Sequence, residues 1–444
     1  MNLAVVVQRY GAEVNGGAEL HARYIARRLA RHASVEVLTT CARDYVTWKN
    51  TYAADVEQID GVTVRRFPVA HERDPEQFGR RSRRVFEQTH SLADELSWLE
   101  SEGPASPALV EYAAANAGRF EFILLFSYRY YHAWHLARRV PGKAVLVPTA
   151  ERDPAIGLSL FAPIFRGVRG VMYNSPEERA MIQGVAGNTA VPGKIVGVGS
   201  DVPARTDPGR FRRTFRIDRP FAIYVGRIDE NKGCRELFSH FRRYADAYPR
   251  GLDLVLVGRP IIEVPAHPRI HHLGFLKDAD KFDALAAADL LIMPSYFESL
   301  SMVALEAWAL GRPVLANAAC DVLQGQCLRS NAGLFYSNYE EFAEALYALE
   351  SKGPLNARLG ANGREYFARH YAWPVIERKY LDMFADLRQR PPGAMEPVPG
   401  WLARRARTVP AGAQVMSSLP KGAVRTSGTP PRSVPVPHDV PRSA

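Results

Sequence analysis

Cysteine is scarce in this chain of 444 residues. The four that occur, Cys41, Cys234, Cys320 and Cys327, are scattered, and no two of them have Cys-x-x-Cys spacing. A disulfide scaffold needs more cysteines, and a structural zinc site needs closely paired ligands. The sequence therefore predicts neither, and it favours a reducing compartment.

Long apolar runs are also missing. The longest, residues 284–294, is interrupted by Asp289 and falls far short of the ~20 residues that a membrane-spanning helix needs. The apolar start of the chain, residues 1–10, has no basic segment before it and is too short for a signal peptide. We expect a buried first strand and a cytoplasmic protein with at most peripheral contact with the inner membrane surface.

No Gly-x-Gly-x-x-Gly run follows the first strand, because Gly11, Gly16 and Gly17 have a different spacing. Dinucleotide binding thereby loses its best sequence signal. A second missing pattern is a basic motif interleaved with aromatic residues, so nucleic-acid binding is not predicted.

Positive charge is in excess and unevenly placed. The chain has 57 Lys and Arg against 47 Asp and Glu, and residues 391–444 alone hold seven basic residues against two acids. From Pro391 onward Pro, Gly, Ser and Arg dominate, which predicts a disordered tail over 391–444. That tail is either simply solvated or anchored on anionic lipid through Trp401 and Leu402 with the arginines that follow. A second cluster, Arg80 to Arg84, begins a helix predicted over residues 80–101 and is either a solvated helix face or a surface for a lipid-linked acceptor.

Short apolar runs alternate with segments of helical period, the pattern of parallel sheets covered by helices on both faces. We predict an α/β fold with two doubly wound, Rossmann-like domains, residues 1–200 and 201–375. The first-domain strands are expected at Leu3–Val7, Val35–Thr39, Val62–Phe67, Phe122–Phe126, Ala144–Pro148, Gly170–Tyr173 and Lys194–Val196. The second-domain strands are expected at Phe221–Val225, Leu252–Val257, Ile270–Leu273, Leu290–Met293, Pro313–Ala316 and Gly333–Phe335.

The most informative motif runs from Met293 to Pro313. A strand ends at Met293, a loop carries Glu298, and a helix opens near Ser301. Ligands bind beyond the carboxyl ends of parallel strands, and free N–H groups at a helix N-terminus suit a phosphate. Glu306 should lie ~6 Å or more behind this N-terminus at ~1.5 Å rise per residue. Two acids thus flank a predicted phosphate pocket.

Cations for that pocket occur in the strand-to-helix turn that opens the second domain. Gly226 allows the backbone to approach a phosphate closely. Arg227 can donate two parallel hydrogen bonds to phosphate oxygens, and Lys232 adds a point charge. The structural alternative is that Arg227 and Lys232 pair with Asp229 and Glu230 at the surface and that Glu306 is only a buried helix-capping acid.

These two motifs carry a resemblance to a known family. The turn Gly-Arg-x4-Lys-Gly, then Glu-x7-Glu and Ala-x3-Gly-x-Pro-Val, resembles the family 4 retaining glycosyltransferases of GT-B fold, a group with many bacterial cell-envelope enzymes. The turn Asn15–Glu19 is similar to that family's N-terminal glycine loop, and the resemblance spans residues 1–388. It implies two domains facing a cleft, with acceptor bound by the first, nucleotide sugar by the second, and a helix over 376–390 packed back on the first.

The resemblance also implies roles for the motif residues. Arg227 and Lys232 would neutralise the donor's diphosphate, Glu306 would bind the ribose, and Glu298 would hold donor-sugar hydroxyls, so that Glu298, Arg227 and Lys232 form the catalytic set. The remaining implied donor contacts are the backbone amides of Leu300, Ser301 and Met302, the backbone of Gly17, and Gly226. No metal and no resident cofactor are implied, since the nucleotide sugar is itself the substrate.

Three further assignments are weaker. Many relatives place a His after the strand that corresponds to Val145–Pro148, where this chain has Ala-Glu-Arg-Asp at 150–153. Either Glu151 or Asp153 replaces that His, or the contact is missing and Arg152 pairs with Asp153. His272 is a candidate contact for the nucleotide base, or else a strand edge. Tyr128, with Glu151 and Asp153, is a candidate on the acceptor side, or else packs in the core.

The expected function is transfer of a hexose from a nucleotide-diphosphate sugar to a glycan or polyprenyl-linked acceptor in envelope polysaccharide biosynthesis. Two alternatives stay open: a nucleotide-sugar epimerase of GT-B fold, and a non-catalytic subunit that binds a sugar nucleotide or glycan.

Overall fold

The strongly apolar runs form two sheets in the computed structural model, which describes residues 1–14, 16–392, 395, 416, 417 and 419. Most of the strand residues are buried, as expected for strands covered on both faces. The predicted tail, including Trp401 and Leu402, lies outside the described residues except for 391, 392, 395, 416, 417 and 419. Asn15 of the glycine loop also lies outside them.

The first sheet has eight strands in the order β3-β4-β2-β1-β5-β6-β7-β8. They are β1 (Asn2–Val6), β2 (Ser34–Thr40), β3 (Val56–Ile59), β4 (Val62–Phe67), β5 (Phe122–Phe126), β6 (Ala144–Val147), β7 (Gly170–Tyr173) and β8 (Gly193–Ile195). All neighbouring pairs are parallel except β3 and β4, which form a hairpin at the edge.

The second sheet has six parallel strands in the order β11-β10-β9-β12-β13-β14. They are β9 (Phe221–Val225), β10 (Asp253–Val257), β11 (Ile270–His272), β12 (Leu290–Met293), β13 (Val314–Asn317) and β14 (Gly333–Tyr336). The strand order reverses between β9 and β12 here, and between β1 and β5 in the first sheet. Open α/β sheets bind ligands beyond the carboxyl ends of the strands at such points.

Fifteen α-helices of the described residues connect or cover these strands. In the first half they are α1 (Gly17–Leu29), α2 (Pro75–Glu87), α3 (Leu92–Glu102), α4 (Pro107–Ala115), α5 (Tyr131–Arg139), α6 (Ala162–Gly167) and α7 (Pro176–Ala186). The others are α8 (Pro208–Phe215), α9 (Cys234–Ala247), α10 (Asp278–Ala287), α11 (Met302–Ala309), α12 (Asp321–Ser330), α13 (Tyr339–Ser351), α14 (Gly353–His370) and α15 (Trp373–Arg388). None of the helices in the described part of the chain has the length and apolarity that a bilayer span requires.

The last helix, α15, contacts elements of the first sheet. The ring of Phe384 stacks on Phe122 of β5 with centroids 5.2 Å apart, and the Tyr380 hydroxyl lies 3.1 Å from Nε2 of His21 on α1. Lys194 of β8 pairs with Asp382 at 2.9 Å. The predicted boundary at residue 200 falls in the connection between β8 and β9; the boundaries themselves stay predictions.

The prediction of one long helix over residues 80–101 is wrong. The segment forms α2 and α3, separated at Gln88–Ser91, because Ser91 caps α3 in a reciprocal pair of hydrogen bonds with Asp94. Arg81 of α2 donates a hydrogen bond to the Ser97 carbonyl of α3 at 3.0 Å, which links the two helices. Of the arginine cluster, Arg84 also lies 3.6 Å from Asp94, so the cluster is partly compensated.

Candidate active site

A cavity of about 380 Å³ is lined by residues that follow the carboxyl ends of strands in both sheets. Nine of its lining residues were predicted as site residues from the sequence: Gly17, Tyr128, Glu151, Asp153, Arg227, Lys232, Glu298, Leu300 and Met302. Ser301 lies between two of them in the chain. Gly226, His272 and Glu306 are not part of the lining.

Helix α11 points its N-terminus at this cavity, since Leu300 and Met302 line it. Ser301 is the N-cap, and its hydroxyl accepts a hydrogen bond from the Ala304 N–H at 3.2 Å. The N–H groups at the very start of a helix have no partner inside the helix, and the helix dipole adds positive potential. This end of α11 is therefore suited to an anion.

Lys232 reaches the same place from the turn between β9 and α9. Its Nζ donates to Glu298 Oε1 at 2.8 Å and to the Phe297 carbonyl at 3.3 Å. Gly233 makes this possible: its φ is +69°, and a Cβ there would lie 2.0 Å from the Pro294 carbonyl oxygen. Burial alone would lower the pKa of Lys232, but Glu298 and Glu151 outweigh it and raise the pKa, so the ammonium keeps its charge.

Arg227 lines the cavity, and its Nε pairs with Asp229. Its side chain is still 53% exposed, so the guanidinium has room for a ligand. The alternative pairing expected from the sequence thus holds for Arg227 and Asp229. It is wrong for Lys232 and Glu230, because Lys232 binds Glu298 and Glu230 binds Arg235 at 3.0 Å.

Glu306 is 2% exposed on α11, beyond the cavity wall. Its Oε1 accepts hydrogen bonds from the Ser200 hydroxyl at 2.8 Å and from Lys281 Nζ at 3.1 Å. Its Oε2 is buried without a hydrogen-bond partner in the described part of the chain. An unsatisfied buried carboxylate oxygen is costly, and a ligand hydroxyl would satisfy it.

Gly226 and His272 are both engaged with the backbone of Gly258. Nε2 of His272 lies 2.9 Å from the Gly258 carbonyl, so the ring nitrogen donates this bond. A Cβ on Gly258 would lie 1.8 Å from the Gly226 carbonyl oxygen, so the two backbone segments pack closely here. The predicted approach of Gly226 to a diphosphate stays a prediction. A base contact for His272 stays a prediction.

The first-sheet wall of the cavity is held by buried ion pairs. Arg9, which follows β1, pairs with Glu19 of α1 at 2.6 Å, and both side chains are nearly buried. Arg129, which follows β5, pairs with Glu102 at 2.7 Å and also with Asp153. Both guanidinium groups are therefore already neutralised by protein carboxylates.

Asp153 also caps the turn that follows it, accepting the Ala155 N–H at 3.0 Å. The expected pairing of Arg152 with Asp153 is wrong: Arg152 pairs with Asp321 of α12 instead. Asp153 pairs with Arg129 of the cavity wall.

Glu178 on α7 lies beneath this wall and is 1% exposed. Its carboxylate accepts the backbone N–H groups of Ala150 at 2.6 Å and Asn174 at 2.5 Å, joining the loops that follow β6 and β7. Burial raises the pKa of Glu178 to about 8, although these two N–H groups oppose the rise. The hydrogen bond from the Ala150 N–H to Glu178 thereby anchors the loop that carries Glu151.

Tyr128 has the core packing expected as one alternative, and its role on the acceptor side stays a prediction. It lines the cavity, yet it is 1% exposed and packs edge-on against Phe161 with ring centroids 4.8 Å apart. Sequence reasoning missed several other lining residues: Gln8, Arg9, Tyr45, Arg129 and Asn174. Position after a strand was the available signal for Gln8, Arg9, Arg129 and Asn174. Within the described residues no three His, Cys, Asp or Glu side chains converge as metal ligands.

Comparison with known proteins finds a family match for the part of the chain that forms the second sheet. Residues 219–352 match the family described as Glycosyl transferases group 1. A D-inositol 3-phosphate glycosyltransferase from Corynebacterium efficiens is 26% identical over 216 residues, 43% of this chain and 50% of that protein. The lipopolysaccharide core biosynthesis glycosyltransferase LpsE from Rhizobium meliloti is 27% identical over 175 residues, 38% of this chain and 51% of that protein. The chain thus spans about half the length of the curated relatives it matches.

Solved structures match a larger part of the chain. Sucrose-phosphate synthase from Thermosynechococcus elongatus has a TM-score of 0.63 at 18% identity, covering 87% of this chain and 99% of that one. HepE from Anabaena in complex with UDP-glucose has a TM-score of 0.64 at 16% identity, covering 87% and 100%. The chain therefore has the GT-B fold. Its resemblance to the family 4 glycosyltransferases is confirmed, with a group 1 glycosyltransferase domain in its second half.

Proposed function

We propose that this protein is a metal-independent, retaining glycosyltransferase that moves a hexose from a nucleotide-diphosphate sugar to a glycan or polyprenyl-linked acceptor in envelope polysaccharide biosynthesis. The observation that carries the proposal is the convergence of Arg227, Lys232, Glu298 and the N-terminus of α11 on one cavity. These groups come from two separate strand-to-helix turns and together offer two cations and free amides to a diphosphate.

In the proposed reaction, Arg227, Lys232 and the α11 amides hold the diphosphate and stabilise the charge that develops on it as it leaves. Glu306 accepts the ribose hydroxyls through its unpaired Oε2. Glu298, held by Lys232 at 2.8 Å, orients the hexose. No resident cofactor takes part.

UDP is the first nucleotide to test, because the HepE structures hold UDP or UDP-glucose. The acceptor would enter along the first-sheet wall, past Tyr128 and Asp153. A lipid-linked acceptor would bring the protein to the cytoplasmic membrane face, with the arginines of α2 as the proposed contact.

Calorimetry with UDP-glucose, GDP-mannose and ADP-glucose tests donor binding, and one nucleotide series should bind. Incubation of that donor with free and polyprenyl-diphosphate-linked oligosaccharides should release the nucleotide only when an acceptor is present. The anomeric configuration of the product, read by NMR, should match that of the donor.

Two results would contradict the proposal. Binding of none of the three donors would remove the diphosphate site. Conversion of the nucleotide sugar without any acceptor would favour the epimerase alternative.

A further inference from the structure

One carboxylate on the cavity wall lacks a partner. Glu151 lies in the loop after β6, half-buried, and lines the cavity together with Lys232 and Glu298. No residue in the described part of the chain donates a hydrogen bond to its carboxylate or forms an ion pair with it. The other cavity acids are all engaged: Glu19 with Arg9, Asp153 with Arg129, and Glu298 with Lys232.

The two described cations that act on Glu151, Lys232 and Arg129, already hold protein carboxylates. Lys232 is bound to Glu298, and Arg129 is bound to Glu102 and Asp153. Burial raises the pKa of Glu151, and the negative charges of Glu298 and Asp153 raise it further while Lys232 opposes them. A partly buried acid among other acids favours a hydroxyl donor as its partner and disfavours another carboxylate.

We propose that Glu151 is a specificity-determining residue that accepts a hydrogen bond from a hydroxyl of the transferred sugar and excludes sugars that carry a carboxylate. The donor is thereby a neutral hexose and not a uronic acid. This inference rests on the proposed function, because it takes Arg227 and Lys232 as occupied by the diphosphate. Asp153 is unsuited to the same role because Arg129 and the Ala155 N–H already use its oxygens.

Calorimetry with UDP, UDP-glucose and UDP-glucuronate tests the inference. The wild-type protein should bind UDP-glucuronate at least tenfold more weakly than UDP-glucose. In Glu151→Gln the ratio of the UDP-glucose affinity to the UDP-glucuronate affinity should fall at least fivefold, because the amide keeps the size of the side chain but removes its charge. The affinity for UDP itself should change less than twofold. The control Asp382→Asn alters an exposed acid paired with Lys194 and should keep the wild-type ratio.

Equal affinity of the wild-type protein for the two sugars would overturn the inference, as would an unchanged ratio in Glu151→Gln. If the protein binds guanosine and not uridine nucleotides, GDP-mannose and GDP-mannuronate replace the pair, with the same expectations. Failure of every nucleoside diphosphate to bind would instead refute the proposed function, and the inference with it. Missing discrimination between the two sugars in the wild-type protein, with UDP binding intact, would count against the role of Glu151 and leave the proposed function standing.

Discussion

The two walls of the cavity are built in different ways. The second-sheet wall presents Arg227, Lys232 and a helix N-terminus, with one guanidinium that is 53% exposed. On the first-sheet wall Arg9 and Arg129 form ion pairs with the buried carboxylates of Glu19 and Glu102. One wall thus offers positive charge to a ligand, whereas the other offers carboxylate, hydroxyl and aromatic groups.

In the proposed function, the two walls bind different parts of the substrates. A diphosphate needs cations and amides that stay available, and these lie on the second wall. A neutral sugar needs fixed hydrogen-bond partners and apolar ring faces, which Tyr45, Tyr130 and the polar loops of the first wall supply. Changes to the second wall should therefore act on the nucleotide, and changes to the first on the sugar or on stability.

The largest effect is expected from Glu306→Ala. If Oε2 binds the ribose, the variant should lose about 3 kcal/mol of UDP binding, roughly 150-fold, as for a hydrogen bond to a charged group. Calorimetry with UDP measures this, and binding of inorganic pyrophosphate should be nearly unchanged. Equal weakening of both ligands would place Glu306 in a structural role only.

A stability effect confined to the first wall is expected from Glu178. The folded-state pKa is about 8, above the ordinary value of 4.5, so the folded protein binds the extra proton between these pH values. The contribution of Glu178 to stability is therefore fully present below about pH 4.5 and is lost as pH rises towards 8, with a slope of at most ~1.4 kcal/mol per pH unit. The nearby negative charge of Glu151 adds to the shift.

Thermal unfolding of Glu178→Gln at pH 6 and pH 8 checks this expectation. The fall in Tm between the two pH values should be smaller in the variant than in the wild type. UDP affinity at pH 6 should be retained. An identical pH dependence in both proteins would show that Glu178 titrates normally.

The smallest effect is expected from an ion pair outside the cavity lining, between α7, which follows β7 of the first sheet, and α12, which follows β13 of the second. Arg329 of α12 donates to Glu177 of α7 through both terminal nitrogens, with Nη2 at 3.0 Å from Oε2. The side chains are 33% and 21% exposed, so the pair is worth about 0.2–1 kcal/mol. Glu177→Gln should therefore change UDP affinity less than about fivefold, and less still at high salt. A larger change by calorimetry would mean that this contact controls closure of the cavity.

Most of the fold could be predicted because most strand residues are buried and most strands therefore appear as short apolar runs. The exception is β3, at the sheet edge, where Val56, Glu57 and Gln58 are exposed and the apolar signal is weak. Helix α12 likewise gives a weak sequence signal, because its amphipathic pattern is short and polar residues interrupt it. The break between α2 and α3 depends on a local cap at Ser91, which the helical period hides.

The second wall of the site could be predicted because its residues lie close together in two motifs with fixed spacing. The first wall draws on loops after β1, β5, β6 and β7, and its pairs join residues far apart in the chain, such as Arg129 with Glu102. No motif spacing in the sequence predicts such a pair. The choice between Glu151 and Asp153 likewise depends on Arg129, whose position only the fold defines.

The most direct test of the central claim is the affinity of UDP-glucose for Arg227→Ala and Lys232→Ala, with Lys194→Ala on the surface as control. The account predicts a loss of about 1.5–3 kcal/mol, roughly 10- to 150-fold, in each of the first two variants and no change in the third. Wild-type affinity in both Arg227→Ala and Lys232→Ala would contradict it.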